Sequence, residues 1–190
     1  MLWSPSIGHP NQYLYLRKFV PKSPGRILEV GSKNYGSTEN FRTMYGGDYV
    51  GLDMAEGEGV DVVHDLTTGL GPLESQSFDF IICCSVLEHV RKPWVFAEHL
   101  TALLRPGGLI YMAAPWVWRY HAYPDDYFRY SWRGIETLFD KLSWDHFWFS
   151  GNVVGEYFPC KPGKDNERSI KQDERKYLPY LEIHGLGKKE

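Results

Sequence analysis

The chain has 190 residues, 24 acidic against 21 Lys and Arg side chains, and a net charge of −3. That length suits one domain with a substantial core. No apolar run reaches the roughly 18 residues of a membrane helix, and the lack of a long basic block disfavours binding to a phosphate backbone.

In chain order, residues 11–20 read as a short amphipathic helix, stopped by Pro21 and the PKSPG turn. Next come a buried strand, ILEV, a glycine turn from Gly31 to Gly36, a short helix, and a second strand, YVGL, ending in Asp53. VDVVHDL (60–66) is a third strand, and FDFIICCSVLEHV (78–90) a fourth that enters a helix at about Val86. Residues 94–104 have a mostly helical apolar period and stop at Pro106-Gly107-Gly108, ahead of a fifth strand that runs to Pro115. Residues 131–141 form a further helix with Ser131 as N-cap, and residues 144–149 a late strand. The alternation implies an α/β fold: a Rossmann-like, doubly wound, mostly parallel sheet with helices on both faces. Residues 144–160 leave room only for a shortened C-terminal hairpin. The expected division is a domain over 1–160 and a charged tail over 161–190, mobile or helical only around 170–181.

Asp53 lies 22 residues after Gly31, near the ~20-residue offset at which an acid meets a cofactor ribose in Rossmann-type units. Its carboxylate would accept two hydroxyl hydrogen bonds, so the pocket is one for a nucleoside. The turn reads Gly31-Ser32-Lys33-Asn34-Tyr35-Gly36, with Lys33 where a dinucleotide site has its middle glycine. Close approach to a pyrophosphate is therefore not provided for. S-adenosylmethionine, a nucleoside without phosphate, does not need it.

ILEVGS, Asp53, VHDL, FDFIICCSVLEHV and LRPGGLIYMAAP stand in the order and spacing of the class I S-adenosylmethionine-dependent methyltransferases. Over residues 24–142 the chain resembles the type 11 methyltransferase-domain group within them. The resemblance implies S-adenosylmethionine as cofactor. Glu29, Gly31, Ser32 and the turn to Gly36 would hold its methionine end, and Asp53 with Met54 the ribose. Asp65 and Leu66 would take the adenine, and Cys84 and Ser85 the neighbourhood of the sulfonium. Asp65 also reads as an ordinary turn residue.

Methyl transfer needs alignment first, and a base only where the acceptor is a hydroxyl or a protonated amine. His89 and His121 are the candidates, and packing is an equally open reading for His89. The segment 115–139 is similar to an H-x-x-P-x-D-x-x-R-[FY] run of several type 11 members, here His121, Pro124, Asp126, Arg129 and Tyr130. His121, Asp126, Tyr127 and Arg129 would bind a polar acceptor, or Asp126 and Arg129 would pair and brace the loop. Some methyltransferases hold magnesium with Glu-x-x-Glu-His. Ser85 replaces the first carboxylate of that run in Ser85-Val86-Leu87-Glu88-His89, so no metal is expected.

The acceptor implied is a small or glycan-type molecule methylated at oxygen. The alternatives are a nucleic-acid methyltransferase, lacking here the Asn/Asp-Pro-Pro-aromatic motif of adenine N6 enzymes, and a non-catalytic cofactor-binding module. Cys83, Cys84 and Cys160 show no metal spacing, and the first residues show no signal-peptide pattern, so a reducing cytoplasm is the expected location. Exposed aromatics leave a homodimer open.

Overall fold

ILEV and FDFIICC carry apolar side chains at successive positions, the pattern of parallel strands covered on both faces. The computed structural model describes residues 8–36, 41–122, 124–151, 154–159 and 181–190. In it, β1 (Ile27–Val30), β2 (Tyr49–Asp53), β3 (Val62–Val63), β4 (Phe78–Cys84) and β5 (Leu104–Val117) pair in parallel, in the order β3-β2-β1-β4-β5. Helices α1 (Gly8–Phe19) and α2 (Phe41–Tyr45) contribute Tyr15, Leu16 and Phe41 to a core with Phe80, Ile82 and Tyr111. On the opposite face α3 (Pro93–Leu103) and α4 (Trp132–Leu138) pack Phe96, Leu100 and Ile135 against Leu28, Ile81 and Met112. The odd–even alternation along β1 and β4 divides the two cores.

Local details follow the sequence closely at some points and less so at others. Ser131 caps α4, its hydroxyl accepting from the Gly134 N–H at 3.1 Å. The third strand is confined to Val62–Val63, since Asp65 and Thr67 turn the chain away. The helix expected from Val86 is a single 3₁₀ turn, Leu87–His89, which Pro93 at the start of α3 separates from the helix proper. The Pro-Gly-Gly turn lies inside β5 as an irregularity: Phe78 pairs with Leu104 but Phe80 with Leu109.

The largest departure concerns the expected tail. Residues 160–180 lie outside the described residues, but β8 (Leu181–Lys189) is a strand inserted antiparallel between β5 and β6 (Leu142–Ser150), with β7 (Tyr157–Pro159) at the edge beyond β6. The antiparallel part of the sheet is therefore not shortened, because β6 pairs with β8 along its length, Leu142↔Lys189 to Ser150↔Glu182. Polar and glycine residues disguised this strand. Glu182 and His184 are buried on the α1 face, and a Cβ at Gly185 or Gly187 would lie 2.5 Å from the Phe147 ring or 3.0 Å from the Trp144 ring. The glycines make room for those aromatics. At its far end Lys189 donates to the Thr101 and Leu104 carbonyls at 2.8 and 2.7 Å, capping the end of α3.

Candidate active site

The first half of the site is a cleft of ≈ 360 Å³ over the C-terminal ends of β1 and β4, walled by Gln12, Glu29, Ser32, Arg42, Asp61 and Cys84, with the turn from Gly31 to Asn34 as its floor. Such an edge is where open α/β sheets bind ligands. The turn depends on one glycine. Gly31 has φ +76°, and a Cβ there would stand 2.3 Å from Val86 Cγ2. The Gly31 and Ser32 N–H groups both donate to the Leu52 carbonyl, at 2.8 and 3.1 Å, which ties the turn to the end of β2.

Asp53 closes β2 beside this turn and is 8% exposed. Its carboxylate accepts from the Lys33 N–H at 3.3 Å and the Ala55 N–H at 3.0 Å, and each oxygen keeps further acceptor capacity. Glu29 points into the cleft and accepts from the Tyr49 hydroxyl at 2.8 Å. Burial pushes its carboxyl up to about 7, against the lowering by Tyr49 and by the Arg42 charge. Two further polar atoms of the wall, Gln12 Oε1 and Ser32 Oγ, are buried with no hydrogen-bond partner among the described residues. A carboxylate in want of a cation and two unsatisfied polar atoms suit the ammonium and carboxylate of an amino-acid ligand.

The remaining cofactor candidates differ in setting. Cys84 is on the cleft wall. Ser85 holds φ +53°, donates its N–H to the Ala113 carbonyl at 2.9 Å and receives Gln12 Nε2 on its hydroxyl at 3.1 Å. A non-glycine residue in that conformation stores backbone strain of the kind found at functional sites. Gly36 does not line the cleft; its N–H donates to Asn34 Oδ1 at 2.7 Å. Met54 is 60% exposed. Asp65 accepts from the N–H and hydroxyl of Thr67 at 2.8 and 2.9 Å, a local turn, and Leu66 is buried with its carbonyl against His99 Nδ1.

The second half lies just past β4. Glu88, on the 3₁₀ turn, has a side chain 1% exposed, and its Oε1 is 3.7 Å from both His89 Nε2 and His121 Nε2. The two imidazole rings meet edge-on with centroids 4.8 Å apart. His121 comes from the loop after β5, which is strapped to the turn by Tyr127 and Phe128 N–H groups donating to the Glu88 carbonyl and by the Tyr130 hydroxyl donating to the Leu87 carbonyl. Behind His121, Asp126 accepts the His121 N–H at 2.8 Å and is gripped by both terminal nitrogens of Arg129. Arg129 also donates to the Trp118, Arg119 and Phe128 carbonyls. The hydrogen bonds from Arg129 hold the Asp126 carboxyl down at about 2, and Glu88 raises His121 above the ordinary imidazole range.

Sequence reasoning missed Gln12, Tyr49, Arg42, Asp61 and Glu182. Asp61 accepts from the Gly51 N–H at 2.7 Å and pairs with Arg42, forming the far wall of the cleft. Gln12 reaches from α1 to Glu182 Oε1 at 2.6 Å, linking the first helix to the last strand. Neither link has a motif, and the second joins residues 170 apart in the chain.

The profile of the family described as "Methyltransferase domain" matches residues 11–146. The chain belongs to that family. The five motifs implied as much, and solved methyltransferases share the fold. A SAM-dependent methyltransferase from Archaeoglobus fulgidus superposes with TM-score 0.63 at 14% identity over 94% of each chain. One from Mesorhizobium loti does so with TM-score 0.62 at 14% identity, covering 97% of this chain and all of the other. Among curated proteins, the ubiquinone biosynthesis O-methyltransferase of Paraburkholderia phymatum is 31% identical over 101 residues, 46% of this chain and 43% of that protein. Its Sinorhizobium fredii namesake is 30% identical over 129 residues, 55% and 52% respectively. The chain spans about half the length of the curated relatives it matches. No helix among the described residues is long and apolar enough to cross a membrane.

Proposed function

We propose that this methyltransferase-family protein moves the methyl group of S-adenosylmethionine to a hydroxyl oxygen of a small-molecule acceptor. The observation that carries the reading is the adjacency of two differently built sites at one sheet edge. One is a cleft with a buried carboxylate and unsatisfied polar atoms. The other is an imidazole pair at Glu88, one ring from His89 just past Cys84 and the other from His121 on the loop after β5. The likeness to ubiquinone biosynthesis O-methyltransferases supports oxygen as the acceptor atom.

When bound, S-adenosylmethionine supplies an electrophilic methyl on a sulfonium. Glu29 and Gln12, on the cleft wall, would take its amino-acid end, the Gly31 turn would give the backbone room, and Asp53, which closes β2 beside that turn, would receive the ribose hydroxyls. Cys84 and Ser85 form the passage between the two halves. At the acceptor end, His121 or His89 would take the hydroxyl proton on Nε2. Asp126 and Arg129 hold the loop that carries His121, and Tyr127, exposed on the same loop, would lie against the acceptor. A net charge of −3 suits a small acceptor better than a nucleic acid.

Calorimetric titration with S-adenosylmethionine and S-adenosylhomocysteine, followed by incubation with phenols, catechols, sugars and amines, tests this. We expect saturable cofactor binding and a mass gain of one methylene unit on a hydroxyl compound. Transfer to amines alone would overturn the assignment to oxygen, and absence of cofactor binding would overturn the whole reading.

A further inference from the structure

We infer that Glu182, on the last strand, is a positioning residue for the cofactor cleft: it holds the Gln12 amide so that the amide oxygen receives the ammonium of the cofactor's amino-acid end. The inference rests on the S-adenosylmethionine reading and adds to it a residue beyond the stretch 11–146 that the family profile matches. Glu182 stands on β8 opposite Pro115 of β5 and Ser150 of β6, and its side chain is buried. Its Oε1 accepts from Gln12 Nε2 at 2.6 Å, across 170 residues of chain. The same nitrogen lies 3.1 Å from Ser85 Oγ, so both amide hydrogens have acceptors.

The donor–acceptor pattern fixes which way the amide faces. Turned over, it would set its oxygen 2.6 Å from a carboxylate oxygen, which when ionised only accepts. Glu182 therefore keeps the nitrogen on its own side and the oxygen on the other. That oxygen, Gln12 Oε1, belongs to a residue 1% exposed that lines the cleft, and it has no hydrogen-bond partner among the described residues. A buried amide oxygen without a donor is costly, so the donor belongs to the ligand. Glu29 lines the same cleft with a second acceptor. An ammonium offers three N–H donors and no acceptor, which suits this pair, whereas a carboxylate would meet only lone pairs there. Charge behind the wall adds to the preference. Burial, and after it the Glu182 charge, push the Cys84 thiol up, so Glu182 is felt on the wall of the cleft and favours a cationic ligand.

The test compares three probes by calorimetry. S-adenosylhomocysteine has the whole amino-acid end, decarboxylated S-adenosylmethionine keeps the ammonium without the carboxylate, and 5′-methylthioadenosine lacks both. Glu182→Met and Gln12→Met should each weaken the first two by at least about tenfold, the scale of a lost hydrogen bond to a charged group, and leave the third within about twofold. Unchanged binding of methylthioadenosine also certifies the fold. Glu182→Gln still offers Gln12 a carbonyl oxygen and should stay within about threefold of the wild type for every probe. A uniform loss across the probes, or none, would leave Glu182 a purely structural residue. A loss confined to S-adenosylhomocysteine would assign Gln12 to the carboxylate. Either result overturns the inference, as does an equal loss in Glu182→Gln and Glu182→Met. Should Glu182→Met not fold, the wild type decides. The ¹⁵N side-chain resonance of Gln12, identified by its absence in Gln12→Met, should shift with both ammonium-bearing probes and not with methylthioadenosine; an unmoved resonance overturns the inference. A wild type that binds none of the probes would overturn the methyl-transfer reading and this inference with it, whereas binding without the discrimination overturns the inference alone.

Discussion

The cofactor cleft and the histidine cluster share one sheet edge but are made in opposite ways. The cleft is largely a product of backbone. Gly31 must be glycine, the turn N–H groups are tied to Leu52, and Asp53 is fixed by two N–H donors of residues close in sequence. The cluster is a product of side chains brought from two segments, a 3₁₀ turn and a loop beyond β5, and held by Asp126 and Arg129. A backbone site tolerates variation around it, while a side-chain site fails when any one partner is lost. Cofactor binding and transfer should accordingly separate under mutation.

The largest separation is expected for His121→Ala. Loss of a positioned proton acceptor costs about 10²–10⁴-fold in turnover, whereas calorimetric affinity for S-adenosylhomocysteine should stay within about twofold. If affinity falls in step with turnover, the two halves act as one unit. Arg129→Ala comes next. It leaves the Asp126 carboxylate, whose side chain is 1% exposed, without its cationic partner and frees the loop carrying His121. A supporting residue of this kind is worth about 10–100-fold in activity, again with cofactor affinity kept. Full turnover in both Arg129→Ala and Asp126→Asn would show that the loop needs no such brace.

The reverse variant is Asp53→Ala. Charged acceptors contribute roughly 1.5–3 kcal/mol per hydrogen bond, so affinity for S-adenosylmethionine should fall at least tenfold while turnover at saturating cofactor changes only a few-fold. An unchanged calorimetric affinity would remove Asp53 from the ribose and leave it as a brace for the Lys33 turn.

The same contrast explains what could be read in advance. Gly31 and Asp53 belong to one strand–turn–strand unit, so their separation in sequence is enough to place them. His89, His121, Asp126 and Arg129 were legible as residue types, but which of them pair was not, because the pairing depends on how the loop folds back over Glu88. The strand β8 was hidden altogether. Its apolar period is broken by Glu182 and His184, which find Gln12, Tyr111 and Ser150 only in the folded core, and by Gly185 and Gly187, whose emptiness is filled by Trp144 and Phe147. Burial pushes the His184 imidazole down to about 3, so it stays neutral as a strand residue should. With β8 in place, the sheet has a full antiparallel part where the sequence suggested a shortened hairpin.

The smallest predicted effect concerns Glu29, a cleft side chain whose charge is not settled before ligand binds. Its carboxyl titrates at about 7 in the free protein, raised mainly by burial. Between the ordinary value of 4.5 and about 7 the folded chain holds a proton that the unfolded chain has lost. The stability Glu29 contributes is therefore complete below 4.5 and fades as pH rises through 7. A bound ammonium favours the ionised form, so cofactor binding should expel this proton. Calorimetry at pH 7 in buffers of different ionisation enthalpy should show release of about half a proton per cofactor, falling toward zero by pH 8.5. Affinity should rise only about twofold from pH 7 to pH 8, as the ionised fraction goes from about one half to nine tenths. Glu29→Gln should abolish the proton release. If the release persists in that variant, the titrating group lies elsewhere, and the cleft loses the feature that suits it to an amino-acid ligand.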